Sequence, residues 1–312
     1  MYDLIIIGGS AASSAAAIYA ARRKLNCILI TEEFGGEVAT SGEVENYPGF
    51  IHTNGFELAE AFRKHVEANG MKPELGVRVE LIEKMSNGLF KIYAKKGGVA
   101  VDYVAKAVIV ATGVHPRHLG VPGEEELKGK GVTWCTTCDG PLYKNKKVVT
   151  IGGGNSALDS ALMLAQIATH VTIINKNDTF KGEAVLLEKV QALPNVDIVY
   201  QAKTARIEGS AVVERVVYVD AASGEERTVD AQGVFIHIGL VPNSGIVPPE
   251  VQKNAAGEIE INLQCETSVP GLFAAGDVTN IPYKQIAIAT GQGVCAALSS
   301  VDYINKFITP AA

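Results

Sequence analysis

Apolar and polar positions fall into blocks that predict most of the chain's elements. Residues 3–7 form a short run rich in β-branched side chains, closed by Gly8, Gly9 and Ser10. Residues 11–23 are small and helix-compatible, and Arg22, Arg23 and Lys24 suit the negative end of a helix. A second strand is predicted over 26–31. This is a strand–helix–strand unit within about 30 residues, the setting a dinucleotide fingerprint requires. The pattern recurs downstream: a strand over 147–151, a turn at Gly152, Gly153 and Gly154, a helix over 155–168 and a strand over 171–174. Between the two units, 77–82, 90–94 and 99–104 alternate apolar with polar, with turn signals at Asn87-Gly88 and Gly97-Gly98. They predict a small antiparallel sheet. A separate apolar strand over 107–111 then runs into Thr112-Gly113. In the second half, 212–220 and 226–230 predict a hairpin, followed by a strand over 233–238. Residues 259–263 form one more short segment, and 285–307 predict a long apolar helix.

Composition narrows the class. A chain of 312 residues suggests two domains, at roughly 100–200 residues each. With 47% hydrophobic and 20% charged residues it is globular. The net charge of −6 is spread without long runs of one sign, which argues against a nucleic-acid surface or a polybasic membrane anchor. No apolar stretch reaches the ~20 residues of a membrane helix. The N-terminal apolar run has no basic region before it, so a secretory signal is not expected and a cytoplasmic location is. The odd cysteine count, five, disfavours a secreted disulfide scaffold. Cys27, Cys265 and Cys295 read as buried small hydrophobes. The six histidines show no metal spacing.

Three motifs carry chemistry. Gly152, Gly154 and Ala157, with Asn155 and Ser156 between them, put glycine where a turn is tight and where backbone must approach a pyrophosphate. At the first fingerprint the equivalent positions are Gly8, Ser10 and Ser13, and serine brings a Cβ to a place that usually excludes one. Cys135 and Cys138 form a C-x-x-C followed at once by Asp139. On the first turn of a helix that spacing puts both sulfurs on one face, and a helix N-terminus lowers a thiol pKa. Asp139 is a candidate proton shuttle. Half a zinc site is the competing reading, but no second ligand pair exists.

Together these residues resemble the low-molecular-weight thioredoxin reductases, in the two-dinucleotide-fold pyridine-nucleotide disulfide oxidoreductase family. The similarity spans nearly the whole chain. It includes Gly35-Gly36-Glu37, the Asn46-Tyr47-Pro48-Gly49 segment, Ala111-Thr112-Gly113, Cys135 to Gly140, Gly239-x-x-Pro242-Asn243 and Ala275-Gly276-Asp277. The resemblance implies an α/β fold of two Rossmann-like domains of three-layer ββα type, the second inserted in the first. An FAD-binding domain would comprise 1–115 and 245–312. A nicotinamide-nucleotide domain, 116–244, would carry the dithiol. Interdomain rotation about 113–116 and 239–244 is also implied.

By the same resemblance FAD would be held by Gly8, Gly9, Ser10, Ser13, Glu32, Gly35, Gly36 and Glu37. Asn46, Ala111, Thr112, Gly113, Gly276, Asp277, Gln285 and Ile286 would complete that site. Asp277 would meet ribityl or phosphate groups, and Glu32 is a candidate ribose acid. A nicotinamide nucleotide would lie on Gly152, Gly154, Asn155, Ser156 and Ala157, with Lys176 and Lys181 nearby. Cys138 would face the flavin and Cys135 would attack a thioredoxin-like partner. A homodimer is expected.

The sequence departs from that pattern at one place. Members that use NADPH carry an arginine set after the second fingerprint's last strand. Here residues 175–181 read Asn-Lys-Asn-Asp-Thr-Phe-Lys, without arginine. Lysine lacks the bidentate fork that grips a phosphate, and no acid follows Ile174 to favour NADH. NADPH, NADH, a reduced ferredoxin and a deazaflavin therefore all stand as electron donors. A dithiol oxidase of the same fold and a non-enzymatic redox sensor are the alternative functions.

Overall fold

The first strand, Tyr2–Ile7, is fully buried on both faces at its centre. In the computed structural model, Leu4 and Ile6 point into a core shared with helices Ala11–Arg22, Gly55–Ala68 and Ile286–Ile308. Ile5 and Ile7 point the other way, onto Val77, Ile82, Phe90 and Ile92 of an antiparallel meander. Alternation along a strand thus separates a helical layer from the antiparallel meander, which is continuous with the parallel strands in one sheet. The structure describes residues 1–308 except Gly42 and Glu45. The side chains of Thr40, Glu43, Thr137, Cys138, Phe307 and Ile308 also lie outside the description.

The chain divides into two compact units, Met1–His115 with Val241–Ala312, and Pro116–Leu240. In the first unit the strand order is Cys27–Ile30, Tyr2–Ile7, Val99–Val110, Phe90–Lys96, Val77–Lys84, with Leu272–Ala274 also pairing Val99–Val110. Two strands were expected over 99–111, but Val99–Val110 is one. Its start is antiparallel to Phe90–Lys96, and its end is parallel to Tyr2–Ile7 and Leu272–Ala274. Lys106 does not interrupt it, because its ammonium pairs with Asp3 at 2.7 Å. The small residues of Ala11–Arg22 serve close packing: a Cβ on Gly293 of the last helix would lie 2.0 Å from the Ala12 carbonyl oxygen.

The second unit repeats the plan. Its parallel sheet runs Val196–Val199, His170–Ile174, Lys147–Ile151, Gly233–Ile236, Val132–Thr133. Val149, Ile151 and Ile236 face the antiparallel sheet Ala202–Glu208, Arg215–Asp220, Glu226–Asp230. Val148, Ile173 and Phe235 face helices Asn155–Ala165 and Ala184–Gln191. Each unit is therefore a three-layer ββα arrangement.

Several elements differ from expectation. Where a hairpin was expected there are three strands. Helices Gly55–Ala68 and Ala184–Gln191 were not anticipated. The 259–263 segment contributes isolated bridges, from Ile259 to Lys253 and to Thr279. The return crossing falls at Leu240–Val241 and not at 244–245. Asn243 already belongs to the first unit, its backbone N–H donating to Gly113 O at 3.0 Å and its amide to Thr112 O at 2.8 Å.

Candidate functional site

In the first unit a cavity of about 920 Å³ opens where the first strand turns into helix Ala11–Arg22. Gly8 makes the turn at φ 131°, and a Cβ there would lie 2.2 Å from the Ala111 carbonyl oxygen. The two serines are used within the turn. Ser10 donates its hydroxyl to Gly35 O at 2.6 Å and its backbone N–H to Ser13 Oγ at 2.8 Å, and Ser13 Oγ donates to Ser10 O at 2.9 Å. The hydroxyl that replaces a glycine hydrogen thereby ties the fingerprint to the Gly35–Gly36 loop. Ala11 and Ala12, in the first turn of the helix, line the cavity, and a helix N-terminus favours an anion.

Across the cavity lies Asp277. Its Oδ1 is buried and has no hydrogen-bond partner among the described residues. Burial raises its carboxyl pKa, and the charge of Lys284 works against that. Lys284 is itself anchored, to Glu258 at 2.7 Å and to Thr279 O at 2.6 Å. An orphaned acceptor costs free energy unless a ligand donates to it. A hydroxyl-bearing dinucleotide supplies such donors, and its pyrophosphate suits the glycine turn, so these residues fit FAD.

Of the residues assigned to FAD from sequence, Gly8, Gly9, Ser10, Glu32, Gly36 and Glu37 line the cavity. So do Ala111, Thr112, Gly113, Gly276, Asp277 and Ile286. Gly35 and Ser13 lie behind this wall. Asn46 and Gln285 are off it and face each other, Nδ2 to Oε1, at 3.4 Å. Arg78 and Lys284 line it and were not foreseen. They come from the meander and from a loop far along the chain, and no local pattern marks them.

In the second unit, Cys135 directly precedes a short helix, Thr136–Asp139, whose first bond runs from Asp139 N–H to Cys135 O at 3.2 Å. Cys135 is disulfide-bonded, while Cys27, Cys265 and Cys295 are free thiols. The side chain of Cys138 lies outside the described residues. A four-residue helix contributes little macrodipole, so dipolar activation of the thiol, expected from sequence, is small here. Thr133 organises the segment: its hydroxyl donates to the Asp139 carboxylate and accepts from the Cys135 N–H at 3.1 Å. Below the helix, Thr136 Oγ1 lies 2.7 Å from Ser160 Oγ and 2.8 Å from His237 Nε2. Burial pushes His237 down to about 4, so the ring is neutral at pH 7. Neither Thr136 nor His237 was singled out from sequence.

The glycine turn of this unit is tight. A Cβ on Gly152 would lie 2.1 Å from His237 O, and one on Gly153 2.6 Å from Asn175 Oδ1. Gly154 caps helix Asn155–Ala165, with open space beside it. Asn175 is buried and structural, accepting from Asn177 N–H at 3.1 Å and donating to Thr179 O at 2.9 Å. Lys176 and Lys181 are exposed. The structure also brings an unforeseen carboxylate to the turn: Asn155 Oδ1 accepts from Glu183 N–H at 2.7 Å, and its Nδ2 lies 3.2 Å from Glu183 Oε1.

A family model described as pyridine nucleotide-disulphide oxidoreductase matches residues 2–293. The chain is 41% identical to a subunit of the alkyl hydroperoxide reductase of Escherichia coli and 41% identical to an NADH dehydrogenase of Bacillus subtilis. Each match covers 98% of this chain, which spans only 58% and 59% of the two relatives. Among solved structures it resembles thioredoxin reductase of Lactococcus lactis, at 31% identity and a TM-score of 0.82 over 98% of this chain and 100% of that one. T. acidophilum thioredoxin reductase matches at 38% and 0.79, over 99% of both chains. A ferredoxin-flavin thioredoxin reductase of Clostridium acetobutylicum matches at 30% and 0.53, over 98% of both. The chain belongs to the pyridine nucleotide-disulphide oxidoreductases and has the fold of the low-molecular-weight thioredoxin reductases.

Proposed function

We propose that the protein is a disulfide reductase that takes electrons from NADH and delivers them, through FAD and the Cys135–Cys138 dithiol, to the disulfide of a thioredoxin-like protein. The observation that carries this reading is the disulfide-bonded state of Cys135 at the head of a helix, beside a glycine turn built for a nucleotide.

FAD, when bound, supplies reversible two-electron chemistry that links a hydride donor to a disulfide. The first unit would hold it: Gly8, Gly9 and the first turn of Ala11–Arg22 would take the pyrophosphate, and Asp277 would accept from a hydroxyl. In the second unit the dithiol reacts by exchange. The Cys135 thiolate attacks one sulfur of the partner's disulfide, and the partner's other sulfur leaves as a thiolate. Cys138 then attacks the mixed disulfide, closing the Cys135–Cys138 bond and releasing the partner as a dithiol. Asp139, held by Thr133, accepts and returns the proton.

NADH is favoured over NADPH by the 175–181 loop. A 2′-phosphate held by arginines gains charge-assisted bonds worth roughly 1.5–3 kcal/mol each. Two exposed lysines recover about 1 kcal/mol or less each, and Glu183 opposes a second phosphate. The similarity to a protein named NADH dehydrogenase points the same way. A reduced ferredoxin is the second reading, favoured by the absent arginines and the ferredoxin-flavin relative. Anaerobic flavin bleaching with NADH, NADPH and reduced ferredoxin in turn tests the donor. Bleaching by ferredoxin alone replaces the first reading with the second. Rapid reoxidation by air with a small dithiol would instead identify a dithiol oxidase.

A further inference from the structure

We propose that Cys265 and Cys295 form a second redox-responsive thiol pair, closed into a disulfide by a hydroperoxide. The two residues are far apart in sequence, yet their segments interlock through sulfur. Cys295 Sγ donates to Leu263 O at 3.1 Å, two residues before Cys265. Cys265 Sγ donates to Gln292 O at 3.5 Å, three residues before Cys295 on the last helix. Each thiol is therefore bonded to the backbone of the segment that carries the other. Both are free in this structure.

The backbone holds Cys265 in an unusual state. Its φ is 59°, a left-handed conformation that non-glycine residues rarely adopt and that recurs where geometry serves function. Two bonds fix it there: its N–H to Asn262 O at 3.0 Å, and the Ala274 N–H to its own carbonyl at 3.1 Å. A glycine would fit this position with less strain, but the chain places there a thiol whose sulfur bonds to the helix that carries Cys295.

Burial assigns the roles. Cys265 is 2% exposed, and desolvation pushes its thiol up to about 12, so it remains protonated and shielded. Cys295 is partly exposed and meets the oxidant. Its sulfur attacks the O–O bond of ROOH and keeps one oxygen as a sulfenic acid, while ROH leaves. The Cys265 sulfur then attacks the Cys295 sulfur. The S–S bond forms, and the sulfenic oxygen departs as water with the Cys265 proton. The two thiols lose two electrons and the peroxide gains them. The new bond fastens the 262–265 segment to the last helix one turn from Gln292, whose side chain accepts from Gly276 N–H at 2.8 Å beside Asp277.

The test uses the reduced, flavin-loaded wild-type chain, treated with hydrogen peroxide, alkylated under denaturing conditions and mapped without reductant. The expected result is a linked peptide joining Cys265 to Cys295, lighter by two hydrogens, while Cys27 stays alkylated. In Cys265→Ser, Cys295 is expected to be trapped by dimedone as a sulfenic acid. In Cys295→Ser, Cys265 is expected to stay alkylatable. The wild-type map decides the question even if a variant fails to fold. Recovery of both cysteines as alkylated thiols, or of Cys295 as sulfinic acid without the linked peptide, would overturn the proposal.

Discussion

At Asp277 a carboxylate oxygen is buried without a partner among the described residues, and Asp277 lines the cavity that fits FAD. Asp277→Ala should weaken FAD binding by about ten- to a hundredfold, the equivalent of one charge-assisted bond at roughly 1.5–3 kcal/mol. The apo-protein should be no less stable, because the variant removes an unsatisfied buried group. Fluorescence titration of FAD together with apo-protein melting measures both, and unchanged affinity would remove Asp277 from the site. The wild-type protein should purify yellow despite Ser10 and Ser13, since both hydroxyls are absorbed by the turn. Cys135→Ser should abolish reduction of the protein disulfide while leaving flavin reduction by the donor intact. A variant that still turns over at the wild-type rate would refute the role given to Cys135.

Among the elements, the dithiol helix rests on His237 through Thr136. The imidazole titrates near 4 in the fold and near 6.5 when unfolded. Between those values the unfolded chain binds a proton that the folded chain does not, so stability falls as pH falls through this window. The full loss is about 3 kcal/mol. His237→Gln should flatten the melting temperature between pH 6.5 and 4, and an unchanged slope would place the titration elsewhere. Helix packing makes a separate prediction. Gly293→Ala forces a methyl against the Ala12 carbonyl and should cost about 1–3 kcal/mol, read by denaturant unfolding.

Elements whose period and turn residues agree were legible in the sequence: both fingerprint strands, their glycine turns and their first helices. Helix Gly55–Ala68 has a start signal of its own, since Asn54 caps it by accepting from Glu57 N–H at 2.9 Å. Strand Ala202–Glu208 is largely polar, so its alternation is faint. The cavity was legible only where it uses fingerprint residues. Arg78, Lys284 and Glu183 reach their sites through tertiary packing, which no local pattern records.

Across the whole molecule, electrons entering at the flavin should emerge as a dithiol at Cys135. A nicotinamide donor should show a lower Michaelis constant as NADH than as NADPH. An NADPH preference above about a hundredfold, ~2.8 kcal/mol, would mean that a phosphate grip exists outside residues 175–181. The most direct measurement is an anaerobic titration of the flavin-loaded protein with NADH, followed by alkylation and peptide mapping, then repeated after adding an oxidised thioredoxin-like protein. Flavin reduction should expose Cys135 and Cys138 to alkylation, and the added disulfide protein should close them again while becoming reduced. Full bleaching of the flavin with Cys135 still disulfide-bonded would contradict it.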